Sequence, residues 1–133
     1  MNELVEQLLE GALAQSVEAE PAEDDDLVEI EEEILLPIPA DFKDFLIHAS
    51  HIVYGSLEPV TAHDSHLHTH LPEVTAQAWA EGLERDLIPL CAVGMGYYCV
   101  NQEGEVLLWQ NGEMTDEYWE SVWNWVERVW LES

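Results

Sequence analysis

Apolar residues recur at helical spacing at the start of the chain: Leu4, Val5, Leu8, Leu9, Ala12 and Leu13. This predicts a helix over 2–15, with Asn2 placed to cap its first turn. The pattern then gives way to charge. Residues 16–33 hold ten acids and no base, including Asp24-Asp25-Asp26 and Glu31-Glu32-Glu33, and a like-charge block of this kind predicts a solvated linker. Leu35-Leu36-Pro37-Ile38-Pro39 opens a second helix over 39–49, where proline suits the first turn and Phe42, Phe45, Leu46 and Ala49 share a face. An extended stretch over 52–62, broken at Gly55, leads to a histidine-rich loop at 63–70. A third helix starts after Pro72, carries Val74, Ala78 and Trp79, and stops at Gly82.

Three strands follow. Leu87–Val93 and Tyr97–Asn101 flank Gly94-Met95-Gly96, which fits a three-residue hairpin loop. Pairing about Met95 sets Val93 opposite Tyr97 and Cys91 opposite Cys99. Asn101-Gln102-Glu103-Gly104 makes the next turn, and Glu105–Trp109 the third strand, ended by Asn111-Gly112. A last helix is predicted over 116–131, capped by Thr115 with Asp116 and Glu117 in its first turn. On a helical wheel its apolar stripe centres on Val122, Val126 and Val129, with Trp123 and Trp125 at the two edges, where exposure is expected. Helices, then strands, then a helix describe an α+β chain.

Composition changes this picture in one respect. The length of 133 residues fits one domain, and 47% apolar residues with six Trp suffice for a core. The charge, however, is −26, from 29 Asp and Glu against 3 Lys and Arg. Residues 1–33 carry −13 and residues 34–133 another −13, so the acidic segment alone does not account for it. Such a surface repels nucleic acid and anionic lipid, and attracts basic proteins and cations. The plainer alternative is a highly soluble coat. No apolar run reaches the ~18 residues of a membrane span, and the first residues are acidic where a signal peptide is basic, so a cytoplasmic location is expected. Two cysteines, Cys91 and Cys99, are too few for a disulfide scaffold.

Ile88-Pro89-Leu90, Gly96-Tyr97-Tyr98-Cys99-Val100-Asn101, Gly104-Glu105-Val106 and Trp109, preceded by Leu36-Pro37 and Asp41-Phe42-Lys43-Asp44-Phe45-Leu46, resemble the motifs of the SUKH superfamily. That group includes fungal cell-wall-assembly regulators and bacterial immunity proteins. The resemblance covers roughly residues 34–133, with 1–33 standing before it as a helix plus acidic linker. Ala49-Ser50-His51 replaces the family's Asn-Gly-Gly-like turn, and Asn101 its usual Asp. The resemblance implies an α+β fold with a mainly antiparallel sheet and helices packed around it. It also implies protein binding without catalysis, and in many relatives the neutralising of a toxin.

Three functional readings stay open. In the first, the domain binds a basic protein, such as a toxin nuclease, through its acidic surface. Glu103, Glu105 and Glu113 near the strand turns, Trp123 and Trp125 on the last helix, and Asp24, Asp25 and Asp26 as a long-range attractor are then the candidate contacts. In the second, the same surface serves a regulator or scaffold with no toxin. In the third, the histidine-rich loop binds a metal. Alternation puts His66, His68 and His70 on one face, the donor set for Zn, Ni or Cu, although residues two apart on a strand lie about 6.8 Å apart and the loop would have to curl. No nucleophile, phosphate-loop or His-Glu-x-x-His motif is present, so the chain reads as a non-enzyme without a resident cofactor. Oligomeric state is not legible.

Overall fold

The computed structural model describes residues 3–10, 22–50, 52, 54–55, 57–62 and 69–133. In chain order the elements are α1 (Glu3–Glu10), α2 (Asp24–Ile34), α3 (Ala40–His48), α4 (Leu71–Ala80), β1 (Ile88–Val93), β2 (Gly96–Val100), β3 (Val106–Gln110), β4 (Glu113–Trp119) and α5 (Val122–Trp125), which runs on into a π-helical turn at Val126–Trp130. The fold is α+β, built on an antiparallel sheet of order β1-β2-β3-β4.

Where charge predicts a linker, residues 24–34 form a helix. Seven of the eleven residues of α2 are acidic, yet Leu27, Ile30 and Ile34 form a buried stripe beneath them. The three aspartates fall in the first turn, where free N–H groups and the helix dipole favour negative charge. Asp26 also closes a reciprocal cap with Glu23, whose N–H donates to Asp26 Oδ2 at 2.9 Å. The helix ends at Leu35 in the left-handed region, φ 61°, before Leu36-Pro37. α1 falls inside the helix expected over 2–15, whose remaining residues lie outside those described.

From β1 to β3 the sheet is packed on both faces. Ile88, Leu90, Val100 and Val106 face the main core, where Leu27, Ile30 and Ile34 of α2, Phe42, Phe45 and Leu46 of α3, and Val122, Trp125, Val126 and Trp130 of the C-terminal helix meet. The other face, with Tyr97, Cys99 and Trp109, is covered by Ala78 of α4 together with Leu83 and Leu87. Phe45 holds the centre of the main core. Its ring makes edge-on contacts with Trp123, Trp125 and Trp130 at centroid distances of 6.1, 6.4 and 5.7 Å.

Two strand assignments differ from expectation. The β1–β2 turn uses Gly94-Met95 alone, so Val93 pairs with Gly96, and a bulge follows between Pro89 and Cys91. Cys91 therefore lies opposite Tyr98, while Cys99 pairs with Pro89. The larger difference lies after β3. Asn111 and Gly112 both take positive φ, 54° and 81°, which makes a two-residue hairpin turn and sends residues 113–119 back along β3. What reads as the first turn of a helix is thus a strand, and the true cap is Ser121, whose Oγ accepts from Asn124 N–H at 3.1 Å.

The C-terminal helix also departs from the 100° wheel. Leu131 N–H donates to Val126 O at 2.9 Å, an i→i+5 bond that widens the last turns. Trp125 and Trp130, five apart, consequently stack at 6.3 Å and are fully buried, while Val129 is only half-buried. The end of the chain is fastened by Tyr54: its hydroxyl donates to Leu131 O at 3.0 Å, and its carbonyl accepts from Trp130 Nε1 at 3.1 Å.

Phe45→Ala should cost about 3–5 kcal/mol, the usual range for removing a buried ring, whereas Ser121→Ala should cost about 1 kcal/mol as a lost helix cap. Urea unfolding followed by tryptophan fluorescence measures both, and an effect at Ser121 larger than that at Phe45 would contradict this account of the core.

Candidate interaction surface

The two edges of the sheet differ. The outer edge of β1 is occupied: Val60 N–H donates to Leu90 O at 2.8 Å, and Pro59 bridges to Cys91. The outer edge of β4 pairs with no other strand among the described residues. β4 is exposed along its length, with only Thr115 and Trp119 half-buried. Met114, opposite Trp109, and Tyr118, opposite Leu107, extend the α4 side of the sheet beyond the cover that α4 provides, and they are 42% and 58% exposed. Between them β4 bulges, setting Thr115, Asp116 and Glu117 against the single residue Leu108. Thr115 Oγ1 fills the gap by donating to Leu108 O at 2.8 Å.

This strip carries Glu113, Asp116 and Glu117, with Glu120 just beyond. No Lys or Arg occurs from residue 86 to residue 127, so the four strands and their turns present no permanent positive charge. Two of the chain's three bases are engaged elsewhere. Lys43 Nζ lies 3.5 Å from Glu31 Oε2 on α2, and the Arg85 guanidinium sits 5.3 Å over the Trp79 ring.

The contacts suggested by sequence are dispersed over several elements. Glu113 begins β4 and is exposed. Glu103 is exposed on the β2–β3 turn, while Glu105 is half-buried and closes that turn, its Oε1 accepting from Asn101 Nδ2 at 3.0 Å. Asp24 and Asp25 are exposed at the start of α2, and Asp26 is held in the cap. Trp125 is no exposed anchor for a partner: it is fully buried in the main core, against Phe45, Tyr98 and Trp130. Trp123 is half-buried against Phe45. Sequence reasoning missed Met114, Asp116, Glu117 and Tyr118 as surface groups on a strand; the signal was the Asn-Gly turn just before them. A second apolar feature, an open groove of about 380 Å³, is lined by Val28, Glu31, Glu32, Leu35, Leu36 and Pro37.

Of the histidine set, His66 and His68 lie outside the described residues. His70 precedes α4, and its backbone bridges to Thr61. Among the described residues no group of three or more His, Cys, Asp or Glu side chains is placed to hold a metal ion. The cysteines do not face one another. Cys91 belongs to the main core and Cys99 to the α4-side core, so their side chains lie on opposite faces of the sheet and no disulfide joins them. Burial pushes both thiols up to about 12. Burial, followed by the hydrogen bond from its hydroxyl to Glu81 Oε2 at 2.6 Å, pushes Tyr97 up to about 12 as well. These are groups held neutral in a core, unlike a nucleophile, whose activation needs a lowered pKa.

The family model described as SMI1-KNR4 cell-wall, SUKH_5, matches residues 1–131. The match includes α1 and α2, so both helices lie within the family's span. A solved structure, "Crystal structure of protein from Pseudomonas syringae pv. tomato", is 52% identical over 100% of both chains, with a TM-score of 0.95. No curated protein matches the chain. No helix among the described residues is long and apolar enough to cross a membrane.

Cys91, Cys99 and Tyr97 all hold their protons more tightly folded than unfolded. The stability they contribute is complete below about pH 9 and is lost as pH rises toward 12. A fall in urea midpoint across that window is expected, with a smaller fall in Cys99→Val. A disulfide-exchange reagent at pH 8 should label neither thiol in the native protein and both after denaturation; rapid native labelling would overturn the buried assignment.

Proposed function

The chain belongs to the SUKH family of SMI1-KNR4 cell-wall type, and from that premise we propose that it is a non-enzymatic, cytoplasmic protein-binding domain that captures a basic protein through its acidic surface. The observation carrying this reading is the distribution of charge: −26 in all, half of it outside residues 1–33, with no base from residue 86 to residue 127. A field of one sign over a folded surface raises the rate of encounter with an oppositely charged protein by roughly 10- to 1,000-fold at low salt. The acids of α2 and β4 extend that field from opposite ends of the fold's sequence.

The finer reading is immunity. A nuclease toxin binds its substrate through a basic face, and an acidic domain docked there covers the surface that nucleic acid needs. Steering sets the on-rate, while apolar contact within the interface sets how long the complex lasts. No catalytic group is required. The titratable residues shifted most strongly, Cys91, Cys99 and Tyr97, are buried structural groups in this scheme.

The test is capture from native cell lysate at low and at high salt, read by mass spectrometry. One basic protein, retained at low salt and released at high salt, is expected. Restored nuclease or other toxic activity on its release assigns immunity, whereas an inactive basic partner assigns a regulator. Absence of any basic partner at low salt would sink the reading.

A further inference from the structure

The two exposed sheet edges of an antiparallel fold are hazards, because unpaired N–H and C=O groups template a further strand. Here β1 is closed off by residues 59–60, and among the described residues β4 is left open. We propose that the outer edge of β4 is a strand-addition site for an extended cationic segment of a partner protein, an inference that rests on the basic-partner reading above.

Three features fix the occupant. First, the outward main-chain groups of β4 pair with no other strand among the described residues, apart from Glu117 N–H, which donates to Thr115 Oγ1 at 3.3 Å, and strand addition draws its affinity from such groups. Second, Met114 and Tyr118 stand exposed on one face at the edge, beside half-buried Leu107, and offer apolar contact to alternate side chains of an added strand. Third, Glu113, Asp116 and Glu117 lie along the same strand, and no base occurs within the sheet. A second copy of the chain is the poorest occupant, because antiparallel self-pairing sets these acids against one another. The acids therefore guard the edge against its own kind. The same acids make a strand of Lys or Arg alternating with apolar residues the matched one.

The probe is an end-blocked peptide of the length of β4, alternating Val and Lys, titrated into the full uniformly 15N-labelled chain at low salt. A control of equal charge carries Pro at every second Val, which removes the backbone donors that pairing needs. Shift changes concentrated in residues 113–119, slowed amide exchange there, and loss of these effects with the Pro control are expected. Tyr118→Ser should weaken the peptide about tenfold, as for a lost aromatic contact. Glu113→Lys with Glu117→Lys should abolish its binding at moderate salt. Both sets of changes sit on exposed side chains, and the native spectrum of each variant checks that it folds. Equal binding of the two peptides, with shifts scattered over the acidic surface, would overturn strand addition while leaving the basic-partner reading intact. If neither peptide binds at low salt, both strand addition and the basic-partner reading are overturned.

Discussion

Packing of Phe45 against Trp123, Trp125 and Trp130 holds together a chain that its own charge pushes apart. With 29 acids and 3 bases, the surface repels itself in every compact arrangement. The ion pair Lys43–Glu31 is partly exposed and offsets little of this. Stability must come from burial, and the core is correspondingly aromatic. Phe42, Phe45, Trp125 and Trp130 are fully buried, drawn from α3 and the C-terminal helix, and they cover one face of the sheet. The wide turn at Val126–Trp130 is what allows Trp125 and Trp130 to enter that core together.

Repulsion also governs where the acids sit. The aspartates of α2 occupy the helix N-terminus, the one place on a helix where negative charge is favoured by the backbone itself. Glu23 and Asp26 satisfy each other's N–H groups, and Glu31 accepts from Ile38 N–H at 2.8 Å while facing Lys43. Glu81 accepts from Tyr97, and Glu105 from Asn101. Glu113, Asp116 and Glu117 on β4 and Glu103 on the β2–β3 turn are exposed, where they add to the field on which the proposed function depends.

A single arrangement thus serves solubility and recognition. An open strand edge with exposed Met and Tyr is an aggregation hazard on a neutral protein. On this one, like charge opposes pairing between copies, and in the proposed function the edge serves a partner of the opposite sign. Cys91 and Cys99 fill space on opposite faces of the sheet, each a buried thiol that burial holds neutral.

Helical periodicity determined α3 and α4 from the sequence, because their apolar residues recur once per turn and Pro and Gly mark their ends. Alternation with glycine turns determined β1, β2 and β3, and the Leu-Pro and Gly-Tyr-Tyr-Cys-Val motifs carried the family. The acidic composition likewise belonged to the sequence alone. The tertiary structure decided the rest. Residues 24–34 read as a linker because charge outweighs three spaced apolar residues until a core exists to bury Leu27, Ile30 and Ile34. Asp116 and Glu117 after Thr115 satisfy every local rule for a helix start. Yet the hairpin at Asn111-Gly112 aligned them with β3, and pairing across a sheet overrides local preference. A one-residue difference in the Gly94-Met95 turn and the bulge at Pro89 then moved the cysteines apart, since register sets which face each side chain takes. Only the folded sheet could show that β4 stands last in its strand order, at the edge.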